Sequence, residues 1–188
     1  MEKVSTPYKC KAIVCSTDFW VFGKNVCTRS LRMKMLECGI TMKTHIIQEE
    51  TELGTIASEI ITSFTQKESA HIVTLRGDLG VGKTALTKHI AHILGIHELV
   101  TSPTFVIMKS YPIAHHAFLK KLIHIDAYRI ESDDELRVLG FEALCAEPHT
   151  LVCIEWPERI VVSLRNKMVY PVTLAIDTQE NRMITYGY

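Results

Sequence analysis

No apolar run in this chain approaches the roughly 20 residues that a membrane-spanning helix requires, although 47% of its 188 residues are hydrophobic. That argues against a span and for a globular protein with one sizeable core. Net charge is also missing, at +0 with histidine neutral. The balance hides an asymmetry: residues 1–43 carry a basic excess and the remainder a matching acidic one. An acidic body lacks the electrostatic footprint of an autonomous nucleic-acid binder, so any RNA connection is expected to run through a partner. Among the six cysteines no two stand at C-x-x-C spacing, which leaves a zinc site without its usual ligands. The thiols are expected to be free, in a reducing cytoplasm.

Residues 1–43 show neither helical nor strand periodicity and contain Cys10, Cys15, Cys27 and Cys38. They are too poor in arginine and serine for a convincing transit peptide, and Ser16, Thr17 and Asp18 interrupt the early apolar stretch that a signal peptide would need. They are expected to be an extension, poorly ordered or upstream of a true start at Met42, with the working domain at 44–188. In that domain "KTHIIQ" reads as a strand. Leu53, Ile56, Ala57, Ile60, Ile61 and Phe64 fall on one helical face. "HIVTLR" is a buried strand, followed by a helix whose apolar face is Leu86, Ile90, Ile93 and Leu94 and whose stop is Gly95. "TFVIMKSY" and "KLIHIDAY" are strands joined by a tip at "PIAHHAF". "SDDE" has capping-box spacing ahead of Leu136, Leu139 and Leu144. "TLVCIE" is another strand, and two more flank a polar turn at residues 178–181. Alternating strands and helices with strand pairs near the end predict an α/β fold: a mostly parallel central sheet with antiparallel additions and helices on both faces.

Between the strand ending at Arg76 and the next helix lies Gly77-Asp78-Leu79-Gly80-Val81-Gly82-Lys83-Thr84. It fits G-x-x-x-x-G-K-[ST], the P-loop or Walker A pattern, at every position. Glycines there let successive backbone N–H groups converge on an anion, and the helix that follows adds its positive end. Lys83 is placed for the β- and γ-phosphates of a nucleotide, and the Thr84 hydroxyl for Mg²⁺. Two apolar strands end in a carboxylate, "LIHID" at Asp126 and "LVCIE" at Glu155. Strand C-termini face the ligand crevice in an open α/β sheet, so both acids are candidates for the metal; the alternative is that one caps a strand in solvent. "VTSPTF" (residues 100–105) presents the hydroxyls of Ser102 and Thr104 around Pro103, where some P-loop proteins place a γ-phosphate switch. Trp156 directly follows Glu155. His115 and His116 read as a solvated tip and His124 as a strand residue.

Taken in order, Gly-Asp-Leu-Gly-x-Gly-Lys-Thr, Ser-Pro-Thr-Phe, His-x-Asp-x-Tyr-Arg (124–129) and Ile-Glu-Trp-x-Glu (154–158) resemble the TsaE (YjeE) family, over roughly residues 44–188. The resemblance implies a small P-loop NTPase that binds ATP with Mg²⁺ and hydrolyses it slowly. It implies partnership with TsaB and TsaD in forming threonylcarbamoyladenosine beside the tRNA anticodon. Carried over, residues Gly77 to Thr84 hold the triphosphate and Thr84 and Glu155 hold Mg²⁺. Asp126 is the second essential acid, near the metal or the attacking water. Thr104 lies in the switch and Trp156 bears on the catalytic state. Thr51 is expected near the base or ribose and Arg182 near the nucleotide. No arginine finger stands beside the loop, leaving Arg129 as a candidate in the same chain. The competing readings are a small-molecule kinase, for which the acidic stretch after Asp126 makes a poor lid, and a nucleotide-binding module without turnover.

Overall fold

The computed structural model of the protein describes residues 42–187. The expectation for the N-terminal extension therefore lies outside the described residues, except that Met42 and Lys43 already belong to the first strand. Seven strands, β1 (Met42–Ile47), β2 (His71–Arg76), β3 (Met108–Pro112), β4 (Lys121–Asp126), β5 (Thr150–Glu155), β6 (Val169–Ile176) and β7 (Arg182–Gly187), form one sheet. Their order is β1-β7-β6-β2-β5-β4-β3. The four central strands β6, β2, β5 and β4 are parallel. The outer pairings β1–β7, β6–β7 and β3–β4 are antiparallel. This is the α/β P-loop architecture expected.

Side chains alternate across each strand, and here the alternation sorts two cores. Leu122, Leu151, Cys153, Val73, Leu75, Val172 and Leu174 meet helices α1 (Glu52–Thr62) and α2 (Lys83–Ile93) on one face. Ile123, Ile125, Val152 and Ile154 meet α3 (Asp133–Val138), α4 (Phe141–Ala146) and α5 (Val161–Leu164) on the other. The same period settles where the polar strand residues go. His124 and Asp126 follow Leu122, and Glu155 follows Cys153, so all three face the α2 side, with Asp126 beside Glu155 in register.

Two elements differ from expectation. Ile93 is 38% exposed, whereas Leu86, Ile90 and Leu94 are fully buried; the buried stripe runs through Ala91 and leaves Ile93 on its margin. The strand expected from Thr104 begins only at Met108. Ile107 adopts φ 63°, a conformation a β-branched residue rarely takes, and it breaks the extended chain there. The capping box of α3 forms as predicted, with the Ser132 N–H donating to Glu135 Oε1 at 3.1 Å. Among the described residues no helix is long and apolar enough to cross a membrane.

Candidate nucleotide-binding site

The loop Gly77–Thr84 joins β2 to α2, and its shape depends on glycine at two points. Gly77 has φ 145° and sits so close to β6 that a Cβ would lie 2.2 Å from the Leu174 carbonyl oxygen. Gly82, at φ 114°, directly precedes the first turn of α2. Val81 points inward and is buried, while Leu79 at the loop's tip is 83% exposed. The N-terminal end of α2 thereby faces the hollow of the loop, at the C-terminal ends of the parallel strands.

Lys83 is only 4% exposed. Its ammonium donates to the carbonyls of Gly77 at 2.6 Å and Asp78 at 2.7 Å and lies 4.0 Å from the centre of the Trp156 ring. No carboxylate forms an ion pair with it among the described residues. Burial lowers its pKa, against the pull of Glu155, Glu158, Asp126 and Asp78 at longer range. A buried cation without a counter-charge is costly, and here two backbone carbonyls and an aromatic face offset part of that cost. Trp156 reaches it because its backbone takes the left-handed conformation, φ 59°. Its ring also leans on Tyr128, with centroids 5.1 Å apart.

Neither acid is a solvent cap: Asp126 and Glu155 are each 3% exposed. They have different partners. Glu155 Oε1 accepts from the Thr84 hydroxyl at 2.7 Å and faces His124 Nε2 at 2.9 Å. Asp126 Oδ2 accepts from the hydroxyls of Ser102 at 2.7 Å and Thr104 at 2.6 Å, and its Oδ1 accepts from the Tyr128 N–H at 3.0 Å. So one acid is tied to the P-loop helix and the other to the segment after it. The oxygen-rich donor set of two carboxylates and a hydroxyl suits Mg²⁺, which takes few protein ligands and completes its shell with phosphate and water. No group of three His, Cys, Asp or Glu side chains is set to hold a metal among the described residues.

Other expected residues are placed more loosely. Thr51 is exposed just before α1, its hydroxyl 3.4 Å from Glu49. Arg182 is exposed and pairs in register with Ile47 and Ile176. Both lie toward the loop's end of the sheet, and no hydrogen bond joins either to the loop. Arg129 stacks its guanidinium 4.6 Å over Phe105 in the switch segment.

Three residues do more than their sequence context showed. Ser102 shares Asp126 with Thr104. His124 is fully buried against Glu155; its position two residues before an acid on a buried strand was the available signal. His116 is not simply solvated, since its Nδ1 accepts the Leu119 N–H at 3.0 Å and so shapes the hairpin tip.

Among known proteins, the chain is 33% identical to "tRNA threonylcarbamoyladenosine biosynthesis protein TsaE" of Treponema pallidum (strain Nichols), over 73% of this chain and 93% of that one. It is 32% identical to the protein of the same name from Rickettsia typhi (strain Wilmington), over 74% and 90%. The fold matches the crystal structure of Bacillus subtilis YdiB with a TM-score of 0.59 at 24% identity, covering 79% of this chain and 86% of that one. The family model described as threonylcarbamoyl adenosine biosynthesis protein TsaE matches residues 47–184. That span runs from the end of β1 into β7 and contains every side chain placed above, and the chain belongs to the TsaE family.

Proposed function

We propose that the protein binds ATP with Mg²⁺ in the loop Gly77–Thr84, hydrolyses it slowly, and so supports formation of threonylcarbamoyladenosine in tRNA, working in the cytoplasm with TsaB and TsaD. The observation that carries the reading is Lys83: a buried ammonium with no ion-pair partner among the described residues, held inside a glycine loop next to Thr84 and Glu155. The pathway assignment rests on the names of the relatives and on the family model.

In this reading Lys83 exchanges its two loop carbonyls for β- and γ-phosphate oxygens. Thr84 and Glu155 hold Mg²⁺, which supplies charge neutralisation as the phosphoryl group transfers. Glu155, already accepting the Thr84 hydroxyl, is the main metal acid. Asp126 has its oxygens pointed by Ser102, Thr104 and the Tyr128 N–H, and it orients the attacking water. Movement of the Ser102–Thr104 segment when a γ-phosphate arrives changes that pointing, which makes Asp126 the residue through which the segment reports the nucleotide state. Arg129 rides on Phe105 in that segment and is the cationic side chain closest to acting as a finger from within the chain. A strong dependence on partners follows if TsaB and TsaD set the position of this segment.

The test is ATP hydrolysis by the full chain, alone and with TsaB and TsaD, with Lys83→Ala as control. A slow rate that the partners change and the substitution abolishes supports the proposal. Phosphate transferred to an added metabolite, with no response to the partners, would select a kinase. Binding without turnover under every condition would select a module that only carries nucleotide.

A further inference from the structure

We propose that His124 is a positioning residue for the metal acid: its ring fixes one oxygen of Glu155 and leaves the other for Mg²⁺. The inference rests on the nucleotide-binding function proposed above. His124 is 0% exposed and sits one strand away from Glu155, on the same face of the sheet. Its Nε2 lies 2.9 Å from Glu155 Oε1. A carboxylate has no hydrogen to give, so the ring nitrogen is the donor. Nδ1 is buried and has no hydrogen-bond partner among the described residues.

An unpartnered buried nitrogen costs stability, and the neighbouring interior positions of β4 are Leu122, Ile123 and Ile125. A fourth apolar side chain would fill this position without that penalty. The bond to Glu155 is therefore what the imidazole contributes. Its effect follows from the other bond on the same oxygen. Thr84 also donates to Oε1, at 2.7 Å, and one bond alone lets a carboxylate pivot about the shared oxygen. Two donors from two elements, α2 and β4, fix both the head group and its plane. Oε2 makes no hydrogen bond among the described residues, and it is the oxygen left to the cation. Partners of this kind behind a metal ligand commonly matter about as much as the ligand's own orientation.

The experiment compares full-length His124→Gln, His124→Asn and His124→Leu with wild type. Binding of a fluorescent ATP analogue is titrated at varied Mg²⁺ and again in EDTA. Gln carries its amide nitrogen at the reach of ring Nε2; Asn carries one only at the reach of Nδ1; Leu fills the space with no donor. The expected result is that Asn and Leu raise the half-saturating Mg²⁺ concentration about tenfold or more and Gln largely restores it, with affinity in EDTA unchanged in all three. A purely structural histidine would not distinguish Gln from Leu in this way. Equal Mg²⁺ dependence for Gln and Leu, or for Leu and wild type, overturns the proposal. Independently of any variant's folding, the ¹⁵N spectrum of the wild-type imidazole should show the proton on Nε2; a proton on Nδ1 alone overturns it as well. Wild type that binds the analogue equally with and without Mg²⁺ would instead remove the parent reading, and this one with it.

Discussion

If Lys83 binds phosphate as proposed, it pulls stability and function in opposite directions at a single residue. It brings a charge to a site with 4% exposure and, among the described residues, no ion pair, which an apolar chain of similar length would not do. Active-site residues often carry such a cost to the fold. Lys83→Met is therefore expected to fold, to melt at or above the wild-type temperature, and to lose ATP binding. A thermal melt and a nucleotide titration on the same sample check both halves, and a large drop in melting temperature would contradict the first. Trp156 offers a second readout, because its ring lies 4.0 Å from the Lys83 ammonium. In a Trp20→Phe background, saturating ATP is expected to change the Trp156 emission as the ammonium moves to phosphate. An unchanged spectrum at saturation would mean that the contact persists in the bound state.

Loop glycines at the scale of elements are not equivalent. At Gly77 a Cβ would meet the Leu174 carbonyl oxygen at 2.2 Å, a backbone atom of β6 that cannot yield, whereas at Gly80 a Cβ would meet nothing within 4 Å. Both have positive φ, so alanine strains either one by about 1 kcal/mol. Gly77→Ala adds the displacement of the loop from β6, and the expected loss is about 3 kcal/mol against about 1 for Gly80→Ala. Chemical denaturation of the two variants measures the difference, and equal losses would show that the loop is not braced on β6. That bracing had no trace in the sequence, where the two glycines look alike. Much else was legible. Apolar period placed α1 and most of α2. Two apolar strands that each end in a carboxylate marked Asp126 and Glu155. The Gly-Lys-Thr turn was read from its residues alone. What local pattern could not supply were contacts between distant segments: the hydroxyls of Ser102 and Thr104 on Asp126, His124 on Glu155, and the backbone reversal at Ile107 that keeps residues 104–107 out of the sheet. Each depends on a partner more than 15 residues away or on a conformation the side chain disfavours.

Across the whole molecule, the sheet divides two apolar layers, and the α1–α2 layer contains a titratable group far from the glycine loop. His71 is 4% exposed, stacks on Phe64 with ring centroids 4.4 Å apart, and holds the Thr65 carbonyl through Nε2 at 3.0 Å. Burial, with Lys67 nearby acting in the same direction, lowers its pKa from 6.5 to about 4. The unfolded chain then binds a proton that the folded chain refuses between those two values. Stability from this residue is complete above pH 6.5, falls as pH drops toward 4, and is constant below. The expected loss across that window is about 3 kcal/mol. Denaturant unfolding at pH 7 and pH 4.5 measures it, and His71→Gln, which keeps a donor for Thr65, should flatten that part of the dependence. An undiminished slope in the variant would assign it to other groups.

The folded-back lysine also changes what nucleotide entry is. The hollow of the loop is occupied by the Lys83 ammonium, which two carbonyls and an indole ring hold in place without neutralising it. Under the proposed function ATP arrives as a competitor for Lys83, and its affinity is the intrinsic affinity scaled by how often the ammonium lets go. A surface that loosens Trp156 would raise nucleotide occupancy without touching the nucleotide, and one that presses the ring down would expel it. A partner protein leaning on residues 156–159 would thus have a hand on the tenant's lock rather than on the tenant.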